Sequence, residues 1–183
     1  MAGSIRYQGI QTALDGAGLR ARGGFHVTAD DTVPALDDGR STRTVILAGN
    51  AGPAMWEAFT KAGLGGHDPL DRWSRRVLDT IATQLDASVV MPADGPPFNP
   101  FQRWAMRAEP VHSSPLGILI HPRWGLWHGY RGALLFAEVL DLPDVEVLES
   151  PCVTCEAKPC LTTCPVGAFT GSEYRVEACA THL

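Results

Sequence analysis

The first 151 residues contain no cysteine; all five lie between Cys152 and Cys179, and four of them fall between Cys152 and Cys164. An odd number of thiols confined to one end is a poor basis for a disulfide framework, so metal ligation is the expectation. Long apolar runs are also missing. Stretches such as Gly117–Ile120 and Gly132–Ala137 are far shorter than the roughly 20 residues a membrane-spanning helix needs. Basic clusters are scarce: 15 Lys and Arg stand against 20 Asp and Glu, a net charge of −5 with a pI near 5.6. Non-specific nucleic-acid binding rests on clustered cations that displace phosphate counterions, so this balance argues against it. Arg6, Gln8, Gln11 and Asp15 interrupt any apolar leader, and a cytoplasmic protein without a signal peptide is expected. No internal repeat or low-complexity tract occurs.

What is present reads as a mixed domain followed by a different kind of segment. Ser4 is expected to cap a short helix with Ile5, Ile10 and Leu14 inward, ending near Gly18. Gly23–Thr28 starts a strand, and residues 30–40 form an acidic loop. Thr42–Leu47 is a buried strand, Ala48–Gly52 a turn, and Pro53 opens a helix carrying Met55, Trp56 and Phe59. The plainest helix runs from Pro69 to Leu85, with Asp68 as N-cap and Leu70, Trp73, Val77, Leu78 and Ile81 on one face. Arg72, Arg75 and Arg76 fall off that face and are expected to be solvated. Ala87–Met91 is a short strand. Six prolines between Pro92 and Pro115 indicate a long ordered loop, with one helical turn around Phe101–Arg107. Gly117–Ile120 and Trp127–Phe136 are two more strands, Pro143–Pro151 a connector, and a short helix starts at Arg175. The expected fold class is α+β: a sheet domain with flanking helices over residues 1–148, and a small cysteine-rich segment over 149–183.

That segment reads Cys152-x2-Cys155-x4-Cys160-x3-Cys164-Pro165, with Cys179 beyond it. A cubane cluster needs thiolates arriving from several directions around a small body. Closely spaced cysteines on tight loops supply them and leave backbone N–H groups over to bond the sulfurs. Proline after the last cysteine of the run favours iron–sulfur over zinc, because bacterial ferredoxins carry C-x2-C-x2-C-x3-C-P. This run departs from that pattern by two extra residues between its second and third cysteines. An all-thiolate zinc tetrahedron remains the alternative. By the ferredoxin logic Cys152, Cys155 and Cys160 serve one cluster and Cys164 turns away from it. Cys179 then completes the first cluster or joins Cys164 on a second. With the chain ending at Leu183, the expectation is a module cut before a second cysteine run.

The stretch Ile120-His121-Pro122-Arg123-Trp124-Gly125-Leu126-Trp127-His128-Gly129-Tyr130-Arg131-Gly132 resembles the "IHPRFGGWFAIRG" segment of CblC-type cobalamin-processing proteins. Asp68-Pro69-Leu70-Asp71 is similar to the "DPVD" that opens a helix in that family. The chain also resembles epoxyqueuosine reductase, in which a related cobalamin-binding domain precedes a double-cluster ferredoxin domain. There a Cys-Pro-x-Gly-Ala run and a lone Cys follow in the order of Cys164–Ala168 and Cys179. The resemblance implies a flavin-reductase/nitroreductase-like sheet domain that binds cobalamin, with His121, Arg123, Trp127 and Arg131 as cofactor-facing residues. Arg131 matches an arginine at the family's thiol co-substrate site, and Asp94 stands where the reductase has an acidic residue ahead of Gly-Pro. Leu126 and His128 depart from the family's glycine and phenylalanine.

The function these expectations combine into is 4Fe–4S electron transfer to a corrinoid, with a redox partner protein or a small-molecule substrate. The alternatives are a non-catalytic cobalamin-handling or electron-carrier module, and a zinc-stapled tail on a binding domain. Packing alone would equally explain Trp124 and Trp127, a strand-end turn would explain His121-Pro122-Arg123, and the remaining histidines are expected to be satisfied or surface groups.

Overall fold

The computed structural model describes residues 6–170 and 173–182. The capping by Ser4 and the inward Ile5 lie outside the described residues. The chain divides into two compact units: Met1–Glu109 with Trp127–Glu146, and Pro110–Leu126 with Val147–Leu183. The sequence-based boundary at 148 therefore differs from the structural one, and Pro110–Leu126 groups with the cysteine segment.

The first unit is α+β, an antiparallel sheet with helices against it. Its elements in chain order are α1 (Tyr7–Gly16), β1 (Arg20–His26), β2 (Thr44–Ala51), α2 (Ala54–Lys61), α3 (Pro69–Gln84), β3 (Ser88–Val90) and α4 (Phe101–Ala108). The second unit then contributes β4 (His112–Ser113) and β5 (Leu119–Ile120) before β6 (His128–Phe136) returns to the first. The sheet runs β1-β2-β6-β3, each neighbouring pair antiparallel.

The two central strands explain the pattern of burial. Val45, Ile46, Leu47 and Ala48 on β2 are buried, as are Ala133, Leu134, Leu135 and Phe136 on β6, so the sheet is covered on both faces. Ile46, Ala48, Leu134 and Phe136 pack with Ile10 and Leu14 of α1 and with Trp73, Leu78 and Ile81 of α3. Alternation turns the odd-numbered neighbours the other way, where α4 lies against β1 and β2. Trp104 of α4 meets Phe25 of β1 with ring centroids 6.2 Å apart.

Several local expectations change. β2 runs through Ala48–Ala51 where a turn was expected, because these residues pair with β6 from Gly132 to His128. The turn starts only at Gly52, at φ 80°. β1 begins at Arg20, and a bulge between Ala21 and Gly24 accommodates Gly23 at φ 71°. The proline-rich loop holds two helical turns, not one, since Phe101, Trp104, Ala105 and Ala108 form a buried stripe. Asp68 occupies the N-cap position of α3 but makes no side-chain cap; its φ is 42° and its carboxylate pairs with His67 at 2.7 Å. Arg72 and Arg76 are exposed, whereas Arg75 is bound to Asp94 at 2.5 Å.

Gly49 shows how tightly β2 and β6 approach. A Cβ placed there would lie 2.0 Å from the Gly129 carbonyl oxygen, a backbone atom that cannot swing aside. Gly49→Ala is therefore expected to destabilise the first unit by about 1–3 kcal/mol through overpacking, read as a lower midpoint in urea with an unchanged slope. An unaltered midpoint would mean that the two strands can spread at this bulge.

In the second unit β4 and β5 pair as a two-stranded ribbon, and His112 Nε2 donates to the Leu148 carbonyl at 2.9 Å. The cysteine segment forms α5 (Pro159–Thr162) and α6 (Val176–His182). Among the described residues, no helix is long and apolar enough to cross a membrane.

Candidate functional site

The cysteine segment is built from short turns. Lys158, at φ 40°, directs Pro159 into the first position of α5, which carries Cys160. The chain leaves α5 at Cys164 and turns back through Gly167 at φ 57°, so that the Gly167 N–H bonds the Cys164 carbonyl at 3.0 Å. The same turn places the Ala168 N–H 3.3 Å from Cys164 Sγ. That bond, with smaller contributions from the N–H groups of Val166, Phe169 and Gly167, holds the Cys164 thiol below its ordinary pKa. Arg175 closes the loop by donating to the Gly167 carbonyl at 2.6 Å, and Phe169 stacks on Tyr174 at 4.7 Å.

The Tyr174 phenol is raised, first by its hydrogen bond with Cys179, then by burial, then by the charges of Cys179 and Cys164. All five cysteines are free and half-buried. Among the described residues, no three His, Cys, Asp or Glu side chains already stand as a group that could hold a metal ion. The donor chemistry fits a thiolate-bound metal: reduced thiols on tight turns, with a backbone N–H directed at sulfur.

The first unit holds a cavity of about 800 Å³, lined by α3, by residues 91–94 and by Tyr130 and Arg131 of β6. Its floor is set by Asp94, which accepts two bonds from Arg75 Nη2 at 2.5 and 2.6 Å and one from the Met91 N–H at 2.8 Å. Arg131 donates to Asp71 at 3.2 Å, while its Nε is buried and has no hydrogen-bond partner. Asp94 and Arg131, singled out by resemblance from separate segments, thus line one cavity.

The four residues expected to face a corrinoid do not gather within one unit, since His121 and Arg123 belong to the second and Trp127 and Arg131 to the first. His121 is buried, its Nδ1 accepting the Arg123 N–H at 3.0 Å, and its backbone pairs with Gly125. Arg123 is exposed. Trp127 is 86% exposed, so packing in the core does not account for it. Of the histidines without an assigned role, His26 Nε2 donates to the Leu140 carbonyl at 2.8 Å and so belongs to the fold.

A charged cluster beside the cavity went unread in the sequence. Arg22, on β1 and 3% exposed, donates from Nε and Nη2 to both oxygens of Glu109 at 3.1 and 2.6 Å. It also bonds the Asn50 carbonyl at 2.8 Å and lies 3.1 Å from His128 Nδ1. The Tyr130 hydroxyl donates to the same Glu109 carboxylate. Burial first, then the Glu109 charge and this hydrogen bond, push the Tyr130 phenol far above its usual range. No local signal marked Arg22 as inward: it stands two residues from Arg20, just ahead of the expected strand start at Gly23.

No protein-family model matches the chain, and no curated protein matches it.

Proposed function

We propose that the chain is an iron–sulfur redox protein whose cysteine segment holds a 4Fe–4S cluster and whose first unit carries a corrinoid, in the manner of the CblC-type proteins and epoxyqueuosine reductase that it resembles. The observation that carries this reading is the Cys164 turn. A cysteine followed by proline presents its sulfur to the Ala168 N–H, the type of contact that stabilises cluster-bound thiolates and tunes cluster potential. When bound, the cluster supplies single electrons at low potential and the corrinoid supplies the organometallic chemistry.

The chain's own residues have separate tasks. Cys152, Cys155 and Cys160 supply three thiolates, and Cys179 completes that cluster or joins Cys164 on a second. Trp127 offers an exposed aromatic face to the corrinoid, and Arg131 with Asp94 lines the cavity in which a small-molecule substrate is oriented. A nitroreductase-like arrangement of the sheet domain is part of the same proposal.

Anaerobic reconstitution with iron and sulfide tests it. About four irons per chain, absorbance near 400 nm and a reducible EPR signal are expected. One tightly held zinc with no iron uptake would leave the zinc-stapled binding domain as the reading. Cobalamin addition to the reconstituted protein then tests the corrinoid, whose spectrum shifts when its lower ligand is displaced.

A further inference from the structure

Four arginines and four aspartates line the cavity of the first unit, but they do not cancel in place. Asp94 is committed to Arg75 and to the Met91 N–H. Asp68 pairs with His67, and Asp79 lies 3.9 Å from Arg75. That leaves Arg72, which donates to the Gly65 carbonyl, and Arg76, which forms no ion pair among the described residues. Being four apart on α3, these two project from one helical face. Across the cavity Arg131 gives one nitrogen to Asp71 and keeps a buried Nε–H without an acceptor. That Nε is closed off from the cavity, so a ligand there meets Arg131, whose side chain is 25% exposed, at its outer guanidinium nitrogens.

We infer that this cavity binds the phosphate group of a small phosphomonoester, held by Arg72 and Arg76 from α3 and by Arg131 from β6. A planar carboxylate satisfies one guanidinium fork at a time. A tetrahedral dianion offers acceptors in several directions, and the cavity is lined by arginines from both a helix and a strand. The volume, about 800 Å³, leaves room for an organic portion beside the phosphate, within the range of small-molecule sites. Thr80 and Thr83 line the same wall but already donate to the carbonyls of Arg76 and Asp79, so they contribute shape more than donors. This inference goes beyond the redox reading and needs neither metal nor corrinoid.

The test is calorimetric titration of the full, metal-free chain with inorganic phosphate and with methyl phosphate, at ionic strength matched by chloride, alongside acetate. Both phosphates are expected to bind with a Kd below about 1 mM, and acetate markedly more weakly. Arg76→Gln, an exposed change that leaves the core intact, should weaken methyl phosphate by about threefold to tenfold. Arg131→Lys keeps the charge but removes the planar guanidinium fork, and should weaken it by about tenfold or more. The Arg131 Nε–H resonance should move on phosphate addition in the unaltered protein, which a purely structural arginine would not show. No heat with either phosphate on folded protein, acetate binding as tightly as phosphate, or unchanged affinity in Arg131→Lys would each overturn the inference. Because the titration uses metal-free chain, its failure is separate from any failure to take up iron.

Discussion

Glu109→Ala is expected to destabilise the first unit by about 3–5 kcal/mol, because it strands a buried guanidinium. Arg22 is 3% exposed and Glu109 12%, and the carboxylate takes bonds from Arg22 Nε, Arg22 Nη2 and the Tyr130 hydroxyl. Removing it leaves Arg22 with the Asn50 and Gly129 carbonyls and His128, none of which carries a full negative charge. Denaturant unfolding measures the loss. Tyrosine ultraviolet titration gives a second readout, since the Tyr130 phenol should ionise at lower pH once the Glu109 charge and hydrogen bond are gone. Burial, the largest cause, persists, so it should stay above a free tyrosine. The pair itself need not be net stabilising. Arg22→Met combined with Glu109→Leu should recover most of the loss, because apolar replacement of both partners avoids desolvating two charges. A Glu109→Ala protein as stable as the parent would mean that water reaches Arg22 from the cavity side.

Cys160→Ser should lower iron retained after anaerobic reconstitution from about four per chain to below about one, with loss of the visible chromophore. A serine hydroxyl is a far poorer soft-metal ligand than a thiolate. Cys164 and Cys179 stand outside the trio of Cys152, Cys155 and Cys160, Cys179 completing the cluster or joining Cys164 on a second. Cys164→Ser and Cys179→Ser should each retain part of the iron, and the double variant should retain little. Cys152→Ser and Cys155→Ser should behave like Cys160→Ser. Full iron content in Cys160→Ser, with the native spectrum, would remove Cys160 from the ligand set and break the ferredoxin-like assignment.

The sequence by itself determined those features that depend on neighbours along the chain. The long helix from Pro69 was legible because its apolar residues recur at helical spacing; strands were expected at Thr42–Leu47, from its Val-Ile-Leu run, and at Trp127–Phe136, and the structure has them as Thr44–Ala51 and His128–Phe136. The cysteine segment stood out as the basis of the metal proposal because four of its cysteines are packed into one short run. Tertiary structure decided what depends on residues far apart in the chain. β2 continued through Ala48–Ala51 because β6 arrives to pair with it, and no local rule distinguishes that stretch from a glycine-containing turn. The helix at Phe101–Ala108 gained its second turn from a buried face that packs beneath β1, which outweighs the prolines on either side. Asp94, Arg131 and the α3 arginines meet at one cavity, and Arg22 meets Glu109 across 87 residues. Charged side chains carry no periodic signature of their partners; only the folded chain brings the counter-charge within reach and removes the water that would otherwise screen it.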